Sequence, residues 1–556
     1  VSGSNSGRKL PRFCLMRDSV GVLLYLPPGL DGREIRAQGL VRNAVTTSVA
    51  LAHEAGQPVV IVTPSAFRSQ LEEAVSSLSL DESLRPTLIS PRGPSPAGWL
   101  AMLLHRNREE AARERRVQRA KAWLRRRLTT GGQWVLTAWW RVCIVTILLV
   151  ATAMAFLTVL ALAAWTLPPR LAVVITGSIA LVALAAWLVR RRRGFLWEAV
   201  ARSTHELSRR RSRLGTALER ADVRHLVRRA NRCNVSVWWC PSTLFGDVEH
   251  LREPLVSTFA DYSPVEFPSM VLDMPRLLER RQEMVRAIRA SAVVVCLSEH
   301  VRDRHLALLD PASIARSIVI PPGPPSRGPR LDASLDLGAN GNATHASTLL
   351  GEFLPTSRAA TIEWWEAPVI TAPTQSRAYK NLRSLVTAVR ILNVSYGLRV
   401  RLILTARPSE YRLDEFIERE GCSPHVEFLT DLPDNVLDAV LAASSLGITP
   451  SLFEGSLPFS LYESVSVGTP CLMANMPVTR AASVDDVRFQ ELTLFDPHDP
   501  QAIADSIRLS LDRLPDLLDC QREFLTRRLE QYGWKPTATR YLEAFATAKT
   551  SPVEVR

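Results

Sequence analysis

Apolar and polar positions along the chain fall into three patterns. The first is an alternation of short apolar runs with helical periodicity. Val20-Gly-Val-Leu-Leu-Tyr-Leu26 reads as a buried parallel strand, 37–55 as a helix and Pro58-Val-Val-Ile-Val-Thr63 as a second strand. Pro86-Thr-Leu-Ile-Ser90 is a candidate third strand. Strands resume at Val235-Ser-Val-Trp-Trp239, Leu255-Val-Ser-Thr-Phe259 and Ala292-Val-Val-Val-Cys296. A further set comprises Pro368-Val-Ile-Thr-Ala-Pro373, Val400-Arg-Leu-Ile-Leu-Thr405, Val426-Glu-Phe-Leu429 and Ser445-Leu-Gly-Ile-Thr-Pro450, with helices such as 381–392 and 435–443 between them. Two βαβ sets predict an α/β protein with two Rossmann-like, doubly wound domains. The second pattern, from Pro324 to Thr361, is rich in Gly, Pro, Ser and Asn and reads as a linker or exposed loop.

The third pattern is absence of charge. Val142 to Thr166 and Leu171 to Val189 carry no charged residue. Each is long enough to cross a hydrocarbon core of about 30 Å at about 1.5 Å per residue. Pro168-Pro169-Arg170 separates them, Trp134, Trp139, Trp140 and Trp187 sit near their ends, and Arg125–Arg127 and Arg190–Arg193 flank them. The pattern predicts a two-helix transmembrane hairpin inserted in the N-terminal domain, both flanks cytoplasmic. A re-entrant hairpin and a buried hairpin in a large soluble core are the alternatives. The arginines suit anionic lipid head groups or a lipid pyrophosphate. The expected boundaries are 1–96 and 231–325 for the two parts of the N-terminal domain, 97–230 for the insertion, 326–365 for the linker, 366–532 for the C-terminal domain and 533–556 for a last helix.

Composition sharpens this picture. A chain of 556 residues is too long for one core. The formal net charge is +13, but residues 101–130 hold ten Arg/Lys against three acids and 190–229 hold thirteen against four. The basicity therefore belongs to the hairpin region, and the remainder is slightly acidic, which excludes a general nucleic-acid footprint. The eight cysteines show no CxxC and no metal spacing, and most sit in apolar runs and read as reduced core residues in a cytosolic setting. The polar start Val1-Ser-Gly-Ser-Asn-Ser-Gly7 reads as no secretory leader, and Val1 fits a translated GTG start in a bacterial gene or a trimmed chain. Sequons at Asn234 and Asn393 fall near predicted core elements and read as chance.

The most informative stretch is Pro450-Ser-Leu-Phe-Glu-Gly-Ser-Leu-Pro458, continuing through Glu463 to Gly468-Thr-Pro470. It puts a carboxylate, Glu454, before a helix and a second, Glu463, inside it. Backbone amides at a helix N-terminus favour a diphosphate, and carboxylates accept hydrogen bonds from sugar and ribose hydroxyls. An ordinary loop–helix–strand unit is the plain alternative. The stretch resembles the donor-site signature of retaining GT-B glycosyltransferases of the family-4 type, the glycosyl transferases group 1, whose usual form is Glu-Gly-Phe-Gly-Leu-Pro…Glu-Ala…Gly-Thr-Pro. Here the two glutamates are nine positions apart where the family has eight, and Ser456-Leu-Pro458 replaces Phe-Gly-Leu-Pro. The resemblance implies donor contacts from Glu454, Gly455, Ser456, Leu457 and Glu463. It also extends to Ser298-Glu-His-Val-Arg-Asp…Ile318-Val-Ile-Pro-Pro-Gly323, similar to the end of the family's first domain, and to a last helix crossing back onto that domain.

Pro373-Thr-Gln-Ser-Arg-Ala-Tyr-Lys-Asn-Leu382 joins a strand to a helix and offers two cations for a departing diphosphate. By resemblance Arg377 and Lys380 take the family's phosphate-clamp roles; a solvated helix start is the alternative. Ser257-Thr-Phe-Ala-Asp-Tyr-Ser-Pro-Val-Glu-Phe-Pro268 is similar to the loop facing the reacting sugar, but Ala260-Asp261 stands where the family has His-Asp. Asp261 is the catalytic candidate beside Glu454: it orients the acceptor hydroxyl or takes its proton, or else it caps the following turn. Gly29 and Gly32 read as a turn that could approach phosphates, and His300 and Arg302 as a helix start near the cleft. The sequence shows no metal-ligand cluster, and Asp485-Asp486 lies in a polar loop, so the expectation is a metal-independent reaction with no cofactor beyond the nucleotide-diphosphate sugar, GDP-mannose or a UDP-hexose.

The resulting expectation is a retaining hexosyltransferase anchored in the bacterial inner membrane, with cytoplasmic catalytic domains. The acceptor expected from the anchor is a lipid-linked saccharide on the way to a surface polysaccharide. The alternatives are a degenerate membrane scaffold of a polysaccharide assembly complex and a sugar-nucleotide epimerase. The retained Arg377, Lys380, Glu454 and Glu463 oppose the scaffold; a membrane hairpin opposes the epimerase.

Overall fold

A computed structural model describes residues 19–25, 39–56, 59–64, 67–76, 86–90, 217, 220–268, 274–324, 339–408 and 410–551. The chain divides into two compact units, Val1–Ser95 with Asp222–Arg556, and Pro96–Ala221. The expected transmembrane hairpin, its arginine flanks, Gly29 and Gly32 lie outside the described residues. Among the described residues, no helix is long and apolar enough to cross a membrane.

The first unit contains two parallel sheets. Strands β1 (Val20–Leu23), β2 (Val59–Val62), β3 (Thr87–Ile89), β4 (Val237–Cys240), β5 (Leu255–Phe259), β6 (Val293–Cys296) and β7 (Ser317–Val319) are ordered β3-β2-β1-β4-β5-β6-β7. β4 pairs in parallel with β1, with Val20 opposite Val237, although more than two hundred residues separate them in sequence. The second sheet contains β8 (Val369–Ala372), β9 (Arg401–Leu404), β10 (Val426–Phe428), β11 (Leu446–Thr449), β12 (Cys471–Ala474) and β13 (Leu494–Phe495), ordered β10-β9-β8-β11-β12-β13. Helices cover both faces of such sheets, which is why strands like Val293-Val-Val-Cys296 are apolar throughout and fully buried.

The last helix, Trp534–Thr550, packs on the first sheet. Tyr541, Ala544, Phe545 and Ala548 share a core with Val237 and Trp239. The Tyr541 hydroxyl lies 3.1 Å from Thr258 Oγ1, which also accepts from Trp239 Nε1 at 3.0 Å. The polar tips of two large aromatic rings are thereby satisfied inside the core.

The reading of 326–365 as a linker needs correction. Ala339–Phe353 is a helix, followed by 3-10 turns at Arg358–Ala360 and Ile362–Glu366. The helix packs against the Asp434–Ala443 helix. Leu350, Ala359, Trp364 and Val440 form one buried cluster there. Small side chains at Ala343 and Ala346 line the helix's buried side, and both are almost fully inaccessible. A face built from alanines lets two helices approach closely without giving the sequence a hydrophobic stripe. All six described cysteines are free thiols, five of them buried.

Candidate functional site

The strand order of the second sheet reverses between β8 and β11. Connections leave the sheet in opposite directions there, and a crevice opens outside the strand ends. The loops leaving β8 and β11 carry the two charged motifs. They are joined by Leu452 N–H donating to the Tyr379 carbonyl at 2.8 Å. Lys380 Nζ lies 2.5 Å from Glu454 Oε1, and both side chains are largely shielded. Ser451 Oγ donates to the same carboxylate oxygen at 2.6 Å.

Local conformation aims Lys380. The turn Ala378–Lys380 ends at Asn381, which has φ of 58° and is left-handed. Asparagine tolerates this region better than most residues. Its Nδ2 donates to the Pro497 carbonyl at 2.7 Å and its Oδ1 accepts from Ser384 Oγ at 2.7 Å. The helix Leu382–Val394 then begins. Arg377 precedes the turn, is exposed, and donates from Nη2 to Gln375 Oε1 at 3.4 Å.

Gly455 is where the two sheets' loops meet. A Cβ on Gly455 would lie 2.7 Å from the Ala260 carbonyl oxygen and 3.5 Å from Asp261 Oδ2. Any side chain there would push the loop after β11 off the loop after β5. Ser456 is half-buried, whereas the Leu457 side chain joins the core beside Leu461 and Tyr462. Only the backbone of Leu457 is free to serve a ligand. The helix Phe459–Ser466 follows directly, with Glu463 on its buried side at 8% exposure. Burial chiefly pushes the Cys471 thiol up to about 12, and the Glu463 charge adds to it.

Asp261 caps the turn that follows it and also approaches Gly455. Its Oδ1 accepts from Ser263 N–H at 3.2 Å, a turn cap, while Oδ2 points towards Gly455. Burial raises its carboxyl above the ordinary aspartate range; the Ser263 amide opposes this, Glu454 adds to it, and Arg377 and Lys380 oppose it. Asp261, Arg377, Lys380 and Glu454 therefore form one electrostatic group. Tyr379 sits among them with its hydroxyl pushed up to about 12, mainly by burial. Its ring stacks on Phe267 at 6.0 Å and meets Phe453 edge-on at 6.2 Å.

His300 reaches the same place, its ring centroid 6.4 Å from that of Phe453. Arg302 does not: its Nε pairs with Asp303 at 2.6 Å on the surface. Sequence reasoning passed over Glu266 and His305. Among the described residues, Glu266, His300 and His305 bring three potential metal-ligand atoms within 4.8 Å of one another. No motif announces them, because Glu266 lies on a different loop and the two histidines are five positions apart, a spacing an α-helix would not put on one face.

Residues 365–520 match the sequence model of the family described as glycosyl transferases group 1. Over these residues the chain is similar to a group 1 glycosyltransferase domain. The two-sheet fold is similar to the trehalose-6-phosphate phosphatase N-terminal domain of Candida albicans, at 10% identity and a TM-score of 0.53, over 96% of this chain and 97% of that one. Anabaena HepE in complex with UDP and glucose gives a TM-score of 0.49 at 12% identity, over 95% of this chain and 100% of that one. A glycosyltransferase from Rickettsia africae gives 0.47 at 11% identity, over 96% and 99%. No curated protein matches the chain. An α/β fold with two parallel sheets matches the GT-B fold. The matched residues include Arg377, Lys380, Glu454 and Glu463, and Asp261 faces them from the first sheet.

Proposed function

We propose that the protein transfers a hexose from a nucleotide-diphosphate sugar, with retention of anomeric configuration, to a lipid-linked saccharide. The observation that carries this reading is the meeting of Lys380 and Glu454, 2.5 Å apart, at the point where the strand order of the glycosyltransferase domain reverses. That point is the usual ligand crevice of open parallel sheets. In this reading Lys380 and Arg377 neutralise the charge that develops on the departing diphosphate. The diphosphate competes with Glu454 for Lys380, and the freed Glu454 accepts from a sugar hydroxyl. The backbone amides after Gly455 and the Phe459–Ser466 helix dipole add positive potential. Asp261 faces the donor loop and orients the acceptor hydroxyl, and the leaving phosphate assists removal of its proton. The acceptor class rests on the two charge-free segments of the sequence, 142–166 and 171–189, which would hold the enzyme at the bacterial inner membrane beside a lipid-bound substrate.

The test is transfer from radiolabelled GDP- and UDP-sugars into the lipid extract of membranes containing the protein. Donor-specific label, lost in a Lys380→Ala/Glu454→Ala double variant, is expected. No label from any donor, with native lipid acceptors added, would overturn the reading in favour of a membrane scaffold. Ala260 in place of the family's usual histidine is the residue that favours that second reading.

A further inference from the structure

Glu266, His300 and His305 could be taken for a metal site, but their hydrogen bonds point elsewhere. His305 Nδ1 accepts from the Tyr262 backbone N–H at 2.9 Å. An amide can only donate, so Nδ1 carries the lone pair and the ring's proton is on Nε2. Nε2 lies 3.2 Å from Glu266 Oε1 and donates to it. A metal on Nε2 would need a second lone pair that this tautomer lacks. Arg304 Nε, 2.5 Å from the same Glu266 oxygen, adds a competing cation.

The ring therefore bridges two points of the loop after β5. That loop begins at Ala260 and carries Asp261 between the β5 strand and the Tyr262 amide. The bridge depends on an unusual turn. Val301–Leu306 is π-helical, and Ala307 N–H reaches back to the Arg302 carbonyl. The wider winding brings His300 and His305 together, with ring centroids 5.5 Å apart. His305 is fully buried, and its ring lies 5.1 Å from that of Phe453, next to Glu454.

We propose that His305, as the neutral Nε2–H imidazole, is a positioning residue that holds Asp261 against Gly455. This rests on the role given to Asp261 above. His305 clamps the loop by accepting from Tyr262 and donating to Glu266. The titratable and charged groups facing it are Glu266, Arg304 and His300, the last with Nε2 3.3 Å from Glu266 Oε1. Burial lowers the His305 pKa, an effect that Glu266 opposes and that His300 and Arg304 reinforce, so the ring is neutral at pH 7. Protonation would place a second donor against the Tyr262 amide and open the clamp.

Two measurements test the clamp. In the full chain labelled with 15N-histidine, His305 is expected to show the Nε2–H pattern at pH 7, unchanged on adding Zn²⁺. An Nδ1–H pattern, or a Zn²⁺-dependent shift of His305, would overturn the proposal. In transfer assays, His305→Phe keeps the ring shape and loses both bonds, and kcat is expected to fall about tenfold or more with donor KM unchanged. His305→Asn keeps an acceptor for Tyr262 and is expected to restore most of that loss. Equal losses in the two variants, or a change confined to KM, would contradict positioning. If the wild type transfers nothing, the catalytic reading of Asp261 falls, while the NMR experiment still decides the clamp.

Discussion

Glu454 Oε1 already holds two donors, Lys380 Nζ and Ser451 Oγ, so the carboxylate is fixed before any ligand contact is considered. In the proposed reading, removing Lys380 takes one cation from the departing diphosphate. Lys380→Ala is expected to lower transfer by about 10²- to 10³-fold, the size seen when one preorganised donor to a developing charge is lost. Steady-state kinetics would check it. Gly455→Ala would place a methyl 2.7 Å from the Ala260 carbonyl. The contact is with backbone and cannot be relieved by a rotamer, so a loss of about 1–3 kcal/mol in thermal or denaturant unfolding is expected, together with reduced transfer. Asp261 gives a prediction with a sign. Its folded pKa is raised, so the unfolded chain loses the proton first as pH rises. Stability then falls as pH climbs from the ordinary value of 3.8 towards the folded value, and the loss persists above it. Asp261→Asn removes that loss and keeps an acceptor for Ser263 N–H. The variant is expected to melt at a higher temperature than wild type at pH 7 while transferring sugar more slowly. A lower melting temperature would show that the carboxylate is stabilised where it sits.

At the scale of elements, the Ala339–Phe353 helix shows what sequence patterns reveal and what they hide. Strands β1, β6, β8 and β11 were legible because both faces are buried, leaving continuous apolar runs in the sequence. This helix was not, because Ala343 and Ala346 pack by being small, and small residues look like loop composition. Ala346→Leu is expected to destabilise the protein by about 1–3 kcal/mol through overpacking against the Asp434–Ala443 helix. An unchanged denaturant midpoint would mean that the helix does not pack there. The site divides in the same way. Lys380 and Glu454 were legible because each lies in a compact motif at a strand end. The approach of Asp261 to Gly455 and the reach of His305 to the Tyr262 amide were not, because both depend on how separate loops meet in space. The π-turn adds a second obstacle, since α-helical phase would separate His300 from His305.

The whole molecule is organised around one meeting of loops. Two parallel sheets meet through the loops after β5 and β11, and the charged group between them belongs to the strand-order reversal of the second sheet. The last helix ties the first sheet to the chain that leaves the second sheet, burying Tyr541 and Phe545 in the first sheet's core. The central claim is that this crevice binds a nucleoside diphosphate through Lys380. Calorimetric titration of UDP and of GDP into the full chain, beside Lys380→Ala, tests it most directly. One of the two nucleotides is expected to bind the wild type, with an affinity that drops at least tenfold in the variant. Binding of neither nucleotide, or equal affinity with and without Lys380, would contradict it.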